Sequence, residues 1–284
     1  MSDDSIVDLI QQHQGNPPES NRPKPEDPSI KQKTESMSQA LPPDKGIEGA
    51  LEKLLTNVKS KMAWIEVELP SQGLLYESGC SKVKIRPFTF EDERTLKTID
   101  NQGSNAEGVL ERLIDVCVEG ISAGELTPLD RLYILFRLRG ISYGDSYAIT
   151  HDCENCSARS ELNLEISTLE TTKLEASHMT FTLPDSEQEV EIKLPRVQDE
   201  HLYNNSETLL NNLHLFIRRI GDVRDSVVLE EFVRRTTVRD IDILRRKIFI
   251  PEYGMENHFF YTCKGCSTKN RVEIGLNENF FTGS

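Results

Sequence analysis

Residues 64–69 set Trp64, Val67 and Leu69 against Glu66 and Glu68, the in-out alternation of a half-buried strand. Pro70-Ser71-Gln72-Gly73 interrupts it. Residues 82–88 then resume the pattern with Val83 and Ile85 on one face, so the two runs predict a loose hairpin over the loop that holds Gly73, Leu74, Leu75 and Tyr76. From Thr89 the period becomes helical. Thr89 is placed to cap a first turn carrying Glu91, Asp92 and Glu93, whose charges suit the positive end of a helix. A second helix is expected from Asn105, with Leu110, Leu113, Ile114 and Cys117 in one stripe. A third follows the cap-and-proline start Thr127-Pro128 and runs to about Arg139. That third helix is apolar on more than one side, through Leu129, Leu132, Tyr133 and Phe136 and through Ile134, Leu135 and Leu138. It should therefore lie at the centre of the fold.

Further on, residues 179–183 and 189–194 predict a second hairpin around Pro184-Asp185-Ser186-Glu187. Helical spacing returns over residues 207–220. It appears again at Val228, Leu229, Phe232 and Val233, and after Thr237 with Val238, Ile241, Leu244 and Ile248 turned inward. Pro251-Glu252-Tyr253-Gly254 ends the last of these helices. Ahead of all this, Ile47, Ala50, Leu51, Leu54, Leu55 and Val58 form an apolar stripe on a short helix. That helix either docks on its own domain or serves as a handle for a partner. Residues 1–45 hold seven of the 13 prolines among polar residues, with a short apolar patch from Ile6 to Ile10 ahead of them, and read as a disordered tail.

Two short motifs carry the chemistry. Cys153-Glu154-Asn155-Cys156 and Cys263-Lys264-Gly265-Cys266 are each flanked by predicted strands, at residues 146–150 and 159–166 and at residues 258–262 and 269–275. A turn of this spacing aims two sulfurs at one point, and two such turns complete the four thiolates of a closed structural zinc site. The halves are 106 residues apart, so a shared Zn2+ would hold the intervening insertion against the helical part. On that reading, loss of Cys153 or Cys263 collapses the fold. Ser157 and Ser267 follow the knuckles as small residues whose backbone can turn N–H groups toward sulfur. A catalytic zinc needs an open position, which four thiolates leave no room for. His151 and His258 flank the knuckles without the spacing of a deaminase site. Cys80 and Cys117 are read as bystanders, Cys117 in the core.

The fold class expected is α+β, a mostly helical domain with short hairpins and a zinc-ribbon-like module. The domain boundaries are 1–45 for the tail, 46–61 for the amphipathic helix and 62–284 for the folded part. The last contains strands and helices at 62–145, ribbon halves at 146–166 and 257–276, and an insertion at 167–256.

Composition narrows the function. No apolar run is long enough to span a bilayer, and the start Met1-Ser2-Asp3-Asp4 lacks a basic, apolar leader, so a cytosolic protein with reduced thiols and no membrane partner is expected. A net charge of −14 disfavours a general grip on nucleic acid and points to protein partners. Between Phe216 and Ile250, nine basic residues, including Arg234, Arg235, Arg245 and Arg246, face six acidic ones. They read as a solvated face or a protein interface, with a nucleic-acid-binding or regulatory zinc-ribbon protein as the competing class. No catalytic motif is present, and catalytic residues are assigned as none.

The order of motifs adds a resemblance. Leu69-Pro70-Ser71, Gly73 and Tyr76, then Lys84-Ile85-Arg86-Pro87-Phe88-Thr89, a helical block, the two cysteine hairpins and a closing Phe280-Phe281 resemble the baseplate hub subunits and hub-assembly proteins of T4-type contractile-tailed bacteriophages. The resemblance covers roughly residues 62–284. It implies a non-enzymatic role in the tail baseplate hub, partners among other hub, wedge or assembly proteins, and assembly in the host cytoplasm. Whether the chain stays in the virion is left open.

Overall fold

The computed structural model describes residues 48–49, 51–55, 63–94, 106–276 and 278–281. The chain divides into two units, Met1–Lys59 and Ser60–Ser284. In the first, residues 48–49 and 51–55 are helical, with Leu51, Leu54 and Leu55 exposed. The rest of the expected stripe, the apolar patch at residues 6–10 and the proline-rich tail lie outside the described residues.

In the second unit the elements run β1 (Ile65–Glu68), β2 (Lys82–Ile85), α1 (Ala106–Cys117), β3 (Val118–Glu119), α2 (Pro128–Tyr143), β4 (Ser146–Asp152) and β5 (Arg159–Glu165). There follow β6 (Thr171–Thr172), β7 (Thr180–Thr182), β8 (Glu189–Ile192), α3 (Ser206–Asn212), β9 (Ile217–Ile220), α4 (Ser226–Arg235) and α5 (Val238–Phe249). The chain closes with β10 (Gly254–Met255), β11 (His258–Thr262), β12 (Lys269–Glu273) and α6 (Glu278–Phe281). Helix and 3-10 turns together make up less than half of the described residues, so the class is α+β without being mostly helical.

α2 begins where its sequence says it should. The Thr127 hydroxyl accepts the Asp130 N–H, and Pro128 occupies the first turn, where a missing N–H costs nothing. The helix runs past the expected Arg139 to Tyr143 and stops at Gly144, whose φ of 96° suits a residue without a Cβ. Its Ile134, Leu135, Phe136 and Leu138 are fully buried. Around them pack Val67, Val83 and Ile85 of the β1-β2-β3 sheet, the α1 stripe of Leu110, Leu113, Ile114 and Cys117, and Phe280 and Phe281 of α6. Each such side chain contributes about 1.5–3 kcal/mol on burial, which makes the helix the centre of the first core. The β1–β2 hairpin is antiparallel, with Val67 opposite Val83 and Ile65 opposite Ile85.

A second core is built from residues 174–253 together with Leu75. The antiparallel β7-β8-β9 sheet, α4 and α5 enclose Leu183, Val190, Ile192, Phe216, Leu229, Leu244 and Ile248. One element differs from expectation. The helical spacing over 207–220 breaks into α3, a 3-10 turn and strand β9, which pairs with β8 through a register shift at Glu191/Ile192. The Thr237 cap and the inward Leu244 and Ile248 are as read from the sequence, but Val238 is exposed.

The two cores meet at a polar seam. The Tyr76 hydroxyl donates to Asp130 Oδ2 at 2.5 Å, the Ser71 N–H to Asp130 Oδ1 at 3.2 Å, and the Thr127 N–H to the Tyr76 oxygen. Thr127 Oγ1 lies 2.8 Å from the Tyr253 hydroxyl. Burial raises the Asp130 carboxyl above its usual range, although the bonds from Ser71 and the Tyr76 hydroxyl favour its charge. Beside the seam, β6 and β10 pair antiparallel and draw the two ends of the insertion together as a neck. Gly254 is required there: its φ is 101°, and a Cβ would stand 3.2 Å from the Leu129 Cβ.

Candidate metal centre

Both cysteine motifs sit in the turn of a two-stranded hairpin, and the two hairpins are built alike. β4 pairs with β5 over seven positions from Ser146↔Glu165 to Asp152↔Arg159, and β11 with β12 over five from His258↔Glu273 to Thr262↔Lys269. At each turn the first cysteine N–H donates to the carbonyl five residues on, Cys153 to Ala158 and Cys263 to Thr268. The serine after the second cysteine donates back, Ser157 to Cys153 O and Ser267 to Cys263 O. Those serines adopt φ of 55° and 59°. A left-handed residue there turns the chain back into its strand and frees the intervening N–H groups to face inward.

The four sulfurs converge. Cys153 Sγ lies 3.6 Å from Cys266 Sγ, Cys156 Sγ lies 3.7 Å from Cys263 Sγ, and all four fall within 4.8 Å of one another. Zinc bonded to four sulfurs at about 2.3 Å spaces them about 3.8 Å apart, so the cluster has the size of a thiolate tetrahedron. The donor set fits a metal of soft or borderline character, zinc among them, rather than the hard cations.

The electrostatics fit as well. Backbone N–H groups of Cys156 and Asn155 lower the Cys153 thiol. The Thr268 hydroxyl, then the Asn155 side chain, hold Cys266 down to about 5. The Gly265 N–H points at Cys263 Sγ from 3.4 Å. At Cys156 the Ala158 N–H works in the same direction, but the neighbouring sulfurs, Cys266 foremost, and burial outweigh it and push the thiol up to about 12. Four thiols this close cannot all ionise unaided; a dication at their centre removes the conflict.

The hairpins are also joined without metal. His151 Nδ1 is 3.1 Å from the Tyr261 hydroxyl, with the rings edge to face. The Asn270 side chain accepts the Glu154 N–H at 3.2 Å and donates to Thr268 O at 3.0 Å. Together with the seam and the neck, these contacts link distant parts of the chain independently of any metal.

The remaining candidates fall outside the cluster. His258 approaches Glu256, Cys117 is buried in the first core with its thiol pushed up to about 12, and Cys80 is half-buried near the Lys82 carbonyl. Asn155, Thr268 and Asn270 were not singled out in the sequence. Asn270 left one signal, a polar residue in the inward phase of β12 beside Val272. The basic run is largely neutralised: Arg234 pairs with Glu230 and Glu231, Arg235 with Glu231, Arg246 with Asp242, Arg239 with Asp185, and Arg219 with Glu189 and Glu191. No described helix is long and apolar enough to cross a membrane.

Comparison with known families matches residues 62–282 to the family described as T4 bacteriophage base plate protein. No curated protein and no solved structure matches the chain.

Proposed function

This chain belongs to the T4 bacteriophage base plate protein family, and we propose that it is a non-enzymatic structural or assembly component of the baseplate hub, clamped by a structural zinc ion. The observation that carries the role is the family match, which spans the whole of the second unit but for its ends. On this reading residues 62–284 are one hub domain, with ribbon halves at 146–166 and 257–276 and an insertion at 167–256.

Cys153, Cys156, Cys263 and Cys266 hold the metal, and zinc so bound supplies four bonds that lock one hairpin to the other. The chain does the rest. The turn N–H groups and the Thr268 hydroxyl offset the thiolate charge, and the hairpins carry the lock into the first core through Tyr147, Leu164 and Ile274. The outer faces of the domain then bind neighbouring proteins in the baseplate, with assembly taking place in the host cytoplasm. The competing nucleic-acid reading loses ground because Arg234, Arg235 and Arg246 are already paired with carboxylates.

Three measurements test the proposal. Deleting the gene in its phage should stop tail assembly at the baseplate, and the tagged chain should co-purify with hub or wedge proteins; intact tails without it would overturn the hub role. Duplex DNA titrated at two salt concentrations should show no binding with a steep salt slope, and a steep slope would restore the other class.

A further inference from the structure

The two cysteine hairpins occupy equivalent positions but differ in what stands four residues beyond the second cysteine. The first has Ser160 there and the second Asn270. Asn270 is 1% exposed, on the face of β12 that looks toward the other hairpin. Its carboxamide spans the gap between the half-sites. Oδ1 accepts the N–H of Glu154, inside the first knuckle, while Nδ2 donates to the carbonyl of Thr268, at the exit of the second. Both partners are backbone groups of the turns that aim the sulfurs, and only one orientation of the amide satisfies both.

We propose that Asn270 is a positioning residue that brings the two knuckles into register before any metal binds, so that the ion enters a preformed site. The inference rests on the metal-centre reading and concerns how that site is assembled. A half-site free to move away must be captured and ordered at the moment of binding, which lowers affinity. A strut already in place removes that cost. The His151–Tyr261 contact lies two residues before each first cysteine and steadies the strands, but it touches neither turn.

The test uses the full chain with its metal removed and measures zinc or cobalt affinity by competition with a chelating dye. Asn270→Leu keeps the volume and loses both bonds. It should lower affinity about 10–100-fold, the range usual for removing an outer partner of a metal ligand. The cobalt–thiolate absorption of the loaded protein should stay unchanged. Tyr261→Phe, which leaves the strut intact, should change affinity far less.

Exchange of the Glu154 amide proton in the metal-free wild type gives a readout independent of the variant's folding. Protection from exchange supports a preformed site, and exchange at the rate of an open chain overturns it. Equal affinity for wild type and Asn270→Leu also overturns it. Failure of the wild type to bind either metal would instead refute the metal centre itself.

Discussion

Asp240 does with a carboxylate what the knuckles do with sulfur. The turn between β7 and β8 has their shape, with the Leu183 N–H bonded to Gln188 O and Glu187 at a φ of 54°. It holds no cysteine; its inward N–H groups, from Asp185 and Ser186, each reach an Asp240 oxygen at 3.0 Å. Asp240 is fully buried at the start of α5 and also accepts from the Thr236 hydroxyl. Burial alone would raise its carboxyl, but the Asp185 and Ser186 donors outweigh burial and leave it below the usual range. A folded-state pKa below the unfolded value means a contribution fully present above about pH 4 and lost as pH falls through the folded value. Asp240→Asn should therefore cost about 1–3 kcal/mol at pH 7 in urea unfolding, since its amide would set a donor against donors. Its stability should also fall less steeply than that of the wild type between pH 4 and pH 2. Parallel curves would show that the charge is not what the turn uses. None of this was visible in the sequence, where Asp240 was one of the six acidic residues set against the basic run.

At the scale of elements, two outcomes show where periodicity speaks and where it misleads. α1 and α2 announced themselves through stripes and a cap that packing then used. β9 did not, because the register shift opposite Glu191/Ile192 puts Ile217 and Ile220 on the same buried side. A bulged strand with inward residues three apart imitates a helix, and only the need of β8 for a partner decides between them. α6 is four residues long, yet the rings of Phe280 and Phe136 are 4.6 Å apart and Tyr147 meets Phe280 edge-on at 5.4 Å. Buried Arg139 fastens it further, donating from Nε to Phe280 O at 3.2 Å while stacking over the Tyr147 ring. Phe280→Ala should cost about 3–5 kcal/mol, read from the urea midpoint, as for other buried aromatic truncations. A loss below about 1 kcal/mol would mean that the short helix is an ornament on the core.

For the molecule as a whole, the four cysteines were legible because spacing and chemistry agree at both sites. The strut, the seam and the neck were not, because each joins residues 50 or more positions apart through side chains or strands with no motif of their own. These metal-independent links set the expected response to a chelator at pH 7. About one equivalent of zinc should leave per chain and the melting temperature should fall, while near-ultraviolet circular dichroism keeps the signal of the packed aromatic rings. Complete loss of that signal would return the metal to the sole-clamp role. The pairing of Thr171–Thr172 with Gly254–Met255 has a further bearing on how such a chain can vary. Since the polypeptide departs and re-enters side by side at this gate, whatever lies beyond it is a detour whose length leaves the two cysteine turns in register. Descendants of the sequence can enlarge, shrink or exchange that lobe to suit new neighbours without redesigning the clasp.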